Sequence, residues 1–133
     1  METKGEQQMN TLRFMGRHPD TQLWISGEAV KIIKARYTWG KDRAYVINHG
    51  YYTEVEINTV CQSTGFVDST NEEIFDKFVL LAEDSKTFYT VCRKRDGSCV
   101  LVNEQDQSQH CLGKFLRRWK IVGHKQELAE QAV

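Results

Sequence analysis

Aromatic and basic side chains alternate along one short stretch of the chain, VKIIKARYTWGKDRAYVINHGYY, which covers residues 30–52. Flat rings can stack on nucleic-acid bases or hold the side chains of a peptide, and cations beside them can bind phosphate. Gly40 marks a turn between two aliphatic runs, so the stretch predicts a twisted β-hairpin with rings and cations at its tip. The residues predicted to bind are Lys31, Lys34, Arg36, Tyr37, Trp39, Lys41 and Arg43, with Arg117 and Arg118 from a second basic stretch.

Trp39 and Trp119 can each serve either in binding or in the core. The ring of Trp39 at a loop tip either binds a partner or folds back to cover the end of the β structure, because a large exposed ring is costly without a use. Trp119 falls at helical spacing with Phe115 and Leu112, so it is predicted to be a core anchor. The basic residues on either side of Trp119 are then left to bind phosphate.

No set of residues has the spacing of a catalytic site. His110 and Cys111 are adjacent in sequence, so their side chains diverge in either a helix or a strand. Glu72 and Glu73 are better explained as acids at the start of a helix than as a catalytic pair. The chain also lacks a glycine-rich phosphate loop. We therefore predict a protein that is not an enzyme and binds no cofactor and no metal.

Four cysteines, at positions 61, 92, 99 and 111, are predicted to be free thiols. Asp96-Gly97 is a strong signal for a two-residue hairpin turn. With that turn, Cys92 and Cys99 lie on one face but diagonally, at a separation of roughly 7–8 Å. This distance is too long for an unstrained disulfide. A zinc site, the alternative, would need three cysteines and His110 to converge from irregular spacings.

Composition and charge suit an ordinary globular chain. The 133 residues are 40% hydrophobic and 27% charged, enough for one compact domain or two very small ones. No apolar run approaches the length of a membrane span, and the N-terminus lacks the apolar core of a signal peptide. We therefore expect a cytoplasmic protein with no membrane partner. Acids dominate residues 54–84 and bases dominate on either side, which permits one acidic and one basic face.

The hydrophobic pattern predicts an α+β fold that is mainly antiparallel β, with one or two packed helices. A three-stranded meander is expected first, and a second hairpin about Asp96-Gly97. Residues 71–83 and 111–122 fit helices, although a strand at Phe78–Ala82 is the rival interpretation of the first. The predicted elements are strands at Ala29–Tyr37, Ala44–Asn48, Tyr52–Val60, Lys86–Arg95 and Ser98–Asn103, and helices at Asn71–Glu83 and Cys111–Val122.

These elements are predicted to form a single domain over residues 11–125, between an N-terminal tail (1–10) and a polar C-terminal tail (126–133) that is either helical or frayed. Two small β units, 11–66 and 67–125, are the alternative division. The first meander resembles SH3-like or Tudor-like small barrels, whose strands follow a Gly-Glu or Gly-Asp pair such as Gly27-Glu28. That resemblance implies a small barrel and does not fix a function.

Taken together, the residues favour a non-enzymatic binding module. The leading hypothesis is nucleic-acid binding, with phosphate contacts from the basic residues and stacking on Tyr37 and Trp39. The runner-up is a protein-binding or regulatory protein that uses the same rings on a peptide or protein partner. A small nucleotide-binding or hydrolytic protein is the third. Overall neutrality counts against nucleic acid, since many nucleic-acid-binding domains are plainly basic.

Overall fold

The computed structural model describes residues 13–37, 40–112 and 118–131. The predicted N-terminal tail, Trp39 and Arg117 lie outside these residues, as does the side chain of Tyr37. The chain divides into two compact units, of which the first ends at Gln62 and the second begins at Ser63.

The first unit contains a hairpin and a three-stranded meander. Its strands are β1 (Phe14–Arg17), β2 (Trp24–Gly27), β3 (Ala29–Ile33), β4 (Arg43–Asn48), β5 (Tyr51–Val55) and the start of β6 (Cys61–Val67). The antiparallel order β3-β4-β5 confirms the predicted meander. Strands β3 and β5, the first and last of the meander, are shorter than predicted. The chain forms short 3-10 helices after them, at Ala35–Tyr37 and Ile57–Thr59.

The core of the first unit follows from the alternation along β4 and β5. Ala44, Val46 and Val55 are buried, and Ile25, Val30 and Val60 pack against them. The hairpin meets the meander at Gly27, where an added Cβ would lie 2.2 Å from the carbonyl oxygen of Ile47. The close approach therefore requires glycine at this position.

A buried arginine ties the end of β1 to the chain that follows β5. Arg17 donates from Nε and Nη2 to the carboxylate of Glu56, at 3.1 Å and 3.0 Å. Its backbone N–H donates to the hydroxyl of Thr59 at 2.9 Å. Because charged hydrogen bonds offset the cost of burying a guanidinium, Arg17 is a structural residue of this unit.

The second unit is built on a five-stranded antiparallel sheet. Its strands are the rest of β6, then β7 (Glu73–Phe75), β8 (Phe78–Ala82), β9 (Thr87–Arg93), β10 (Cys99–Asn103), β11 (Gln109–Cys111) and β12 (Trp119–His124), followed by helix α1 (Lys125–Gln131). The sheet order is β11-β10-β9-β8-β12. Ser63 of β6 pairs with Phe75 of β7. The described chain is thus mainly antiparallel β with one short C-terminal helix, and its sheets are not closed into a barrel.

The predicted helix at residues 71–83 is wrong, and the rival strand at Phe78–Ala82 is confirmed. Four of the five residues of β8 are buried, as expected for a strand covered on both faces. Lys77 reverses the chain between β7 and β8 at a φ of 71°. The helical spacing of Ile74, Phe78 and Leu81 is therefore a coincidence of two strands joined by a tight turn.

The predicted helix at residues 111–122 is also wrong where the structure describes it. Cys111 ends β11 and Trp119 begins β12, which pairs with β8; the intervening residues 113–117 lie outside the described chain. Trp119 is buried, as predicted, but it is a strand residue. Its ring packs edge to face against that of Tyr89, with ring centroids 5.2 Å apart. Helix α1 occupies most of the predicted C-terminal tail, in agreement with the helical alternative for that tail.

The hairpin about Asp96-Gly97 is confirmed, but its register is one residue away from the prediction. The N–H of Gly97 donates to the carbonyl of Lys94, and Arg93 lies opposite Cys99. Within this turn only Gly97 has a positive φ, 93°, so the loop has three residues with the glycine in the left-handed position. Cys92 pairs with Val100, which places it and Cys99 on opposite faces, not on one. None of the four cysteines forms a disulfide.

Candidate functional site

The outer face of the first unit's meander carries the aromatic and basic residues that the sequence singled out. Ala44, Val46 and Val55 point into the core, so the residues between them point away from it. Lys31 lies opposite Tyr45, and Tyr45 lies opposite Glu54. We call this surface the tyrosine face; it consists of Lys31, Ile33, Arg43, Tyr45, Ile47, Tyr52 and Glu54.

A pair of tyrosines forms the centre of this face. The rings of Tyr45 and Tyr52 meet edge to face, with centroids 6.4 Å apart and planes 64° from parallel. Tyr45 is half-buried, whereas Tyr52 is 58% exposed. Ile47 lies directly opposite Tyr52 in the sheet. These three side chains form an apolar patch on the sheet. The ring of Tyr45 is partly covered, and the ring of Tyr52 is exposed to solvent.

An ion pair lies beside this apolar patch on the tyrosine face. Arg43 donates from Nη1 to both carboxylate oxygens of Glu54, at 3.2 Å and 3.0 Å. The two side chains are 37% and 35% exposed, so solvent screens the pair in part. Because Glu54 already holds Arg43, a phosphate would have to displace or approach a carboxylate on the same face.

A second acid lies beside the loop that follows β3. Asp42 accepts a hydrogen bond from the N–H of Ala35 at 2.8 Å, which holds the first turn of the 3-10 helix. Its other oxygen lies 3.9 Å from Nζ of Lys34. Both side chains are exposed, so this contact is weak. It nevertheless places negative charge next to a predicted phosphate-binding residue.

The structure brings together only part of the predicted site. Lys31 and Arg43 share the tyrosine face. Arg36 and Lys41 are exposed in the 3-10 helix and the loop that follow β3, beyond the strands. Arg118 is exposed in the second unit, just before β12, and its carbonyl accepts the N–H of Glu83 at 3.0 Å. Tyr52, Ile47 and Glu54 were missing from the predicted site, although the alternation along β4 and β5 was the signal that could have found them.

A serine and a histidine approach each other in the second unit. The hydroxyl of Ser108 lies 3.1 Å from Nε2 of His110. The carboxylate of Asp106 accepts both the N–H and the hydroxyl of Ser108, at 2.9 Å and 2.7 Å. In a catalytic triad the acid orients the histidine ring, whereas here it binds the serine. This arrangement closes a turn between β10 and β11.

Within residues 13–37, 40–112 and 118–131, no three His, Cys, Asp or Glu side chains cluster as they would to hold a metal ion. In the same residues, no helix is both long enough and apolar enough to span a membrane.

Comparison with known proteins places the chain in a family. Residues 17–127 match the model of a protein family described as YopX protein. Since this match covers most of the chain, the chain belongs to that family. No curated protein and no solved structure shows a significant match to it.

Proposed function

We propose that this member of the YopX family is a non-enzymatic binding protein that contacts another protein through its tyrosine face. The observation that carries the proposal is the edge-to-face pair of Tyr45 and Tyr52 on an open sheet. Tyrosine is enriched among the few residues that dominate the affinity of protein interfaces, because its large ring loses little entropy on binding. Ile47 and Ile33 extend the apolar surface around the pair.

The charges on this face favour a protein over nucleic acid. Arg43 is bonded to Glu54, and Lys34 lies beside Asp42. A surface that mixes the two signs repels phosphate at its acids, whereas it complements a protein surface of mixed charge. The ion pair then acts on the rim of the interface and fixes the orientation of the partner.

Nucleic acid is kept as the second candidate because of one feature of the sheet. Lys31 lies directly opposite Tyr45, so a cation stands beside a ring. A base stacked on a tyrosine with its phosphate on a neighbouring lysine is the usual arrangement in single-strand binding. Trp39, Lys41 and Arg36 would extend that surface under this second candidate.

Two finer features belong to the same proposal. We propose that the first unit is an open variant of the SH3-like or Tudor-like small barrels, supported by a meander that directly follows Gly27-Glu28. We also propose a cytoplasmic location without a membrane partner. The location is supported by the four cysteines, none of which forms a disulfide, since thiols stay reduced in the cytoplasm.

The test uses two adjacent tyrosines that lie on opposite sides of one strand. Tyr52→Ala removes the exposed ring of the tyrosine face and should weaken binding to the protein partner by about 2 kcal/mol or more. Tyr51→Ala is the matched control, because Tyr51 is 77% exposed and points to the other side of β5. A photo-crosslinking side chain at position 52 identifies the partner, and calorimetry with that purified partner measures the loss.

The result expected is a large loss for Tyr52→Ala, little change for Tyr51→Ala, and unchanged melting temperatures for both. Equal losses for the two variants would exclude the tyrosine face as the binding surface. A parallel titration with single-stranded DNA and RNA at low salt tests the second candidate. If the protein binds single strands in a salt-dependent way and Lys31→Ala loses this binding, nucleic acid and not a protein is the partner.

A further inference from the structure

A cavity in the second unit lies against strands β9 and β10 of its sheet. Its volume is about 340 Å³, within the range of small-molecule sites. Thr90 and Cys92 of β9 and Val102 of β10 line its floor. Thr90 lies directly opposite Val102, and the intervening Val91 points into the core, so these three side chains share one face.

Two opposite charges stand at the rim of this cavity. Glu104 and Gln107 line it from the turn after β10, and Lys125 lines it from the start of α1. Among the ion pairs of the described residues, none joins Glu104 to Lys125. The cavity is therefore lined by one carboxylate and one ammonium group, both on exposed residues.

Hydrogen bonds hold the backbones of both charged residues and the carboxylate of Glu104. The backbone N–H of Lys125 donates to the carbonyl of Lys77 at 2.9 Å, and that of Glu104 donates to the carbonyl of Phe88 at 3.1 Å. The hydroxyl of Thr90 donates to the carboxylate of Glu104. Fixed backbones and an oriented carboxylate reduce the ordering that a ligand would have to impose.

We propose that this cavity binds a small zwitterion, namely a free α-amino acid. The carboxylate of the ligand lies against Nζ of Lys125, and its ammonium group lies against the carboxylate of Glu104. Each charge of the ligand is thus matched by a charge of the opposite sign. The ligand's side chain contacts Val102 and the half-buried thiol of Cys92. This proposal is independent of the tyrosine face, which belongs to the other unit.

The experiment titrates the whole protein with each of the twenty standard amino acids at millimolar concentration, followed by calorimetry and by heteronuclear NMR. At least one amino acid should bind saturably and shift the amide signals of Thr90, Cys92 and Val102. Lys125→Gln and Glu104→Gln should each weaken that binding about tenfold, the effect of losing one charged hydrogen bond. Lys94→Gln, an exposed change in the β9–β10 loop, should leave it unchanged.

A second readout does not depend on affinity alone. Bound amino acid should slow the alkylation of Cys92 by iodoacetamide several-fold, measured by mass spectrometry, and leave the exposed Cys111 unaffected. Tyr52→Ala should not change either result. The proposal is overturned if no amino acid binds the unmodified protein. Binding that survives both Lys125→Gln and Glu104→Gln would overturn it equally.

Discussion

At the scale of single residues, Asp68 shows how one buried carboxylate organises a turn. Its Oδ1 accepts the N–H and hydroxyl of Thr70 and the N–H of Glu72, at 2.9 Å, 2.8 Å and 2.9 Å. Its Oδ2 accepts the N–H of Ile121 at 3.1 Å. Burial by itself would raise the pKa of Asp68, but these hydrogen bonds outweigh it and hold the pKa below the ordinary value of 3.8.

Asp68→Asn should therefore destabilise the protein in a pH-dependent way. At pH 7 we expect a loss of about 1–3 kcal/mol, because an amide nitrogen cannot accept the bond from Ile121. A carboxylate with a lowered pKa contributes stability that is present above the unfolded-state value and lost as the pH falls through the folded-state value. The difference between the two proteins should thus shrink below the unfolded-state value of 3.8.

Urea unfolding of both proteins at pH 7 and at acid pH measures this difference. Asp20→Asn is the control, because Asp20 is exposed and its carboxylate lies in a surface turn. A loss that is the same at both pH values would show that the shape of Asp68 matters and its charge does not.

At the scale of elements, the turn between β9 and β10 places Gly97 in a conformation that other residues rarely adopt. Gly97 has a φ of 93°, which β-branched side chains resist strongly. Gly97→Val should lower the free energy of unfolding by about 1–2 kcal/mol. Gly97→Asn is the control, since asparagine tolerates positive φ better and should cost less. Thermal unfolding of the three proteins gives the order, and a Val variant as stable as the Asn variant would contradict this account.

The strands were predictable from the sequence where apolar residues alternate or run together between clear turns. That holds for β4, β9 and β10, and for the meander as a whole. The helix predicted at residues 71–83 was wrong because local spacing could not reveal a sharp reversal at Lys77, a residue type that seldom marks a turn. Trp119 was correctly assigned to the core, since burial of a large ring survives an error in the type of element.

The candidate site was predictable in its location but not in its charges. The stretch from Val30 to Tyr52 does fold into neighbouring strands that share a face. The pairing of Arg43 with Glu54, however, depends on the register between β4 and β5, which places Tyr45 opposite Glu54. Cross-strand register is set by the fold and not by spacing along the chain. The sequence therefore could not show that Arg43 is paired with a carboxylate on the same face.

At the scale of the whole molecule, the acidic stretch of the sequence does not act alone. Acids from residues 54–84 pair with bases from outside it, as in Arg17–Glu56, Arg43–Glu54 and Arg93–Asp76. At these places the two signs lie side by side, so the blocks seen along the chain are mixed by folding. The formal net charge of the chain is zero.

A neutral molecule with mixed charges should be least soluble near neutral pH. Repulsion between copies is weakest where the net charge vanishes, and it grows as the pH moves to either side. Precipitation with polyethylene glycol over a series of pH values measures the effect. We expect a solubility minimum close to pH 7 and higher solubility at both mildly acidic and mildly basic pH. Solubility that changes in one direction across this range would contradict the expectation.

The turn at Asp68 has a last consequence, which concerns aggregation. Strand β12 lies at the edge of its sheet, where unpaired backbone groups would offer a template to the strand of another chain. Ser69 donates to the carbonyl of Trp119 at 2.7 Å, and Asp68 accepts the N–H of Ile121. The turn therefore occupies these two backbone groups on the open edge of β12. The same carboxylate that stabilises the fold therefore also shields this edge from fibril-like growth, and its protonation would weaken that shield.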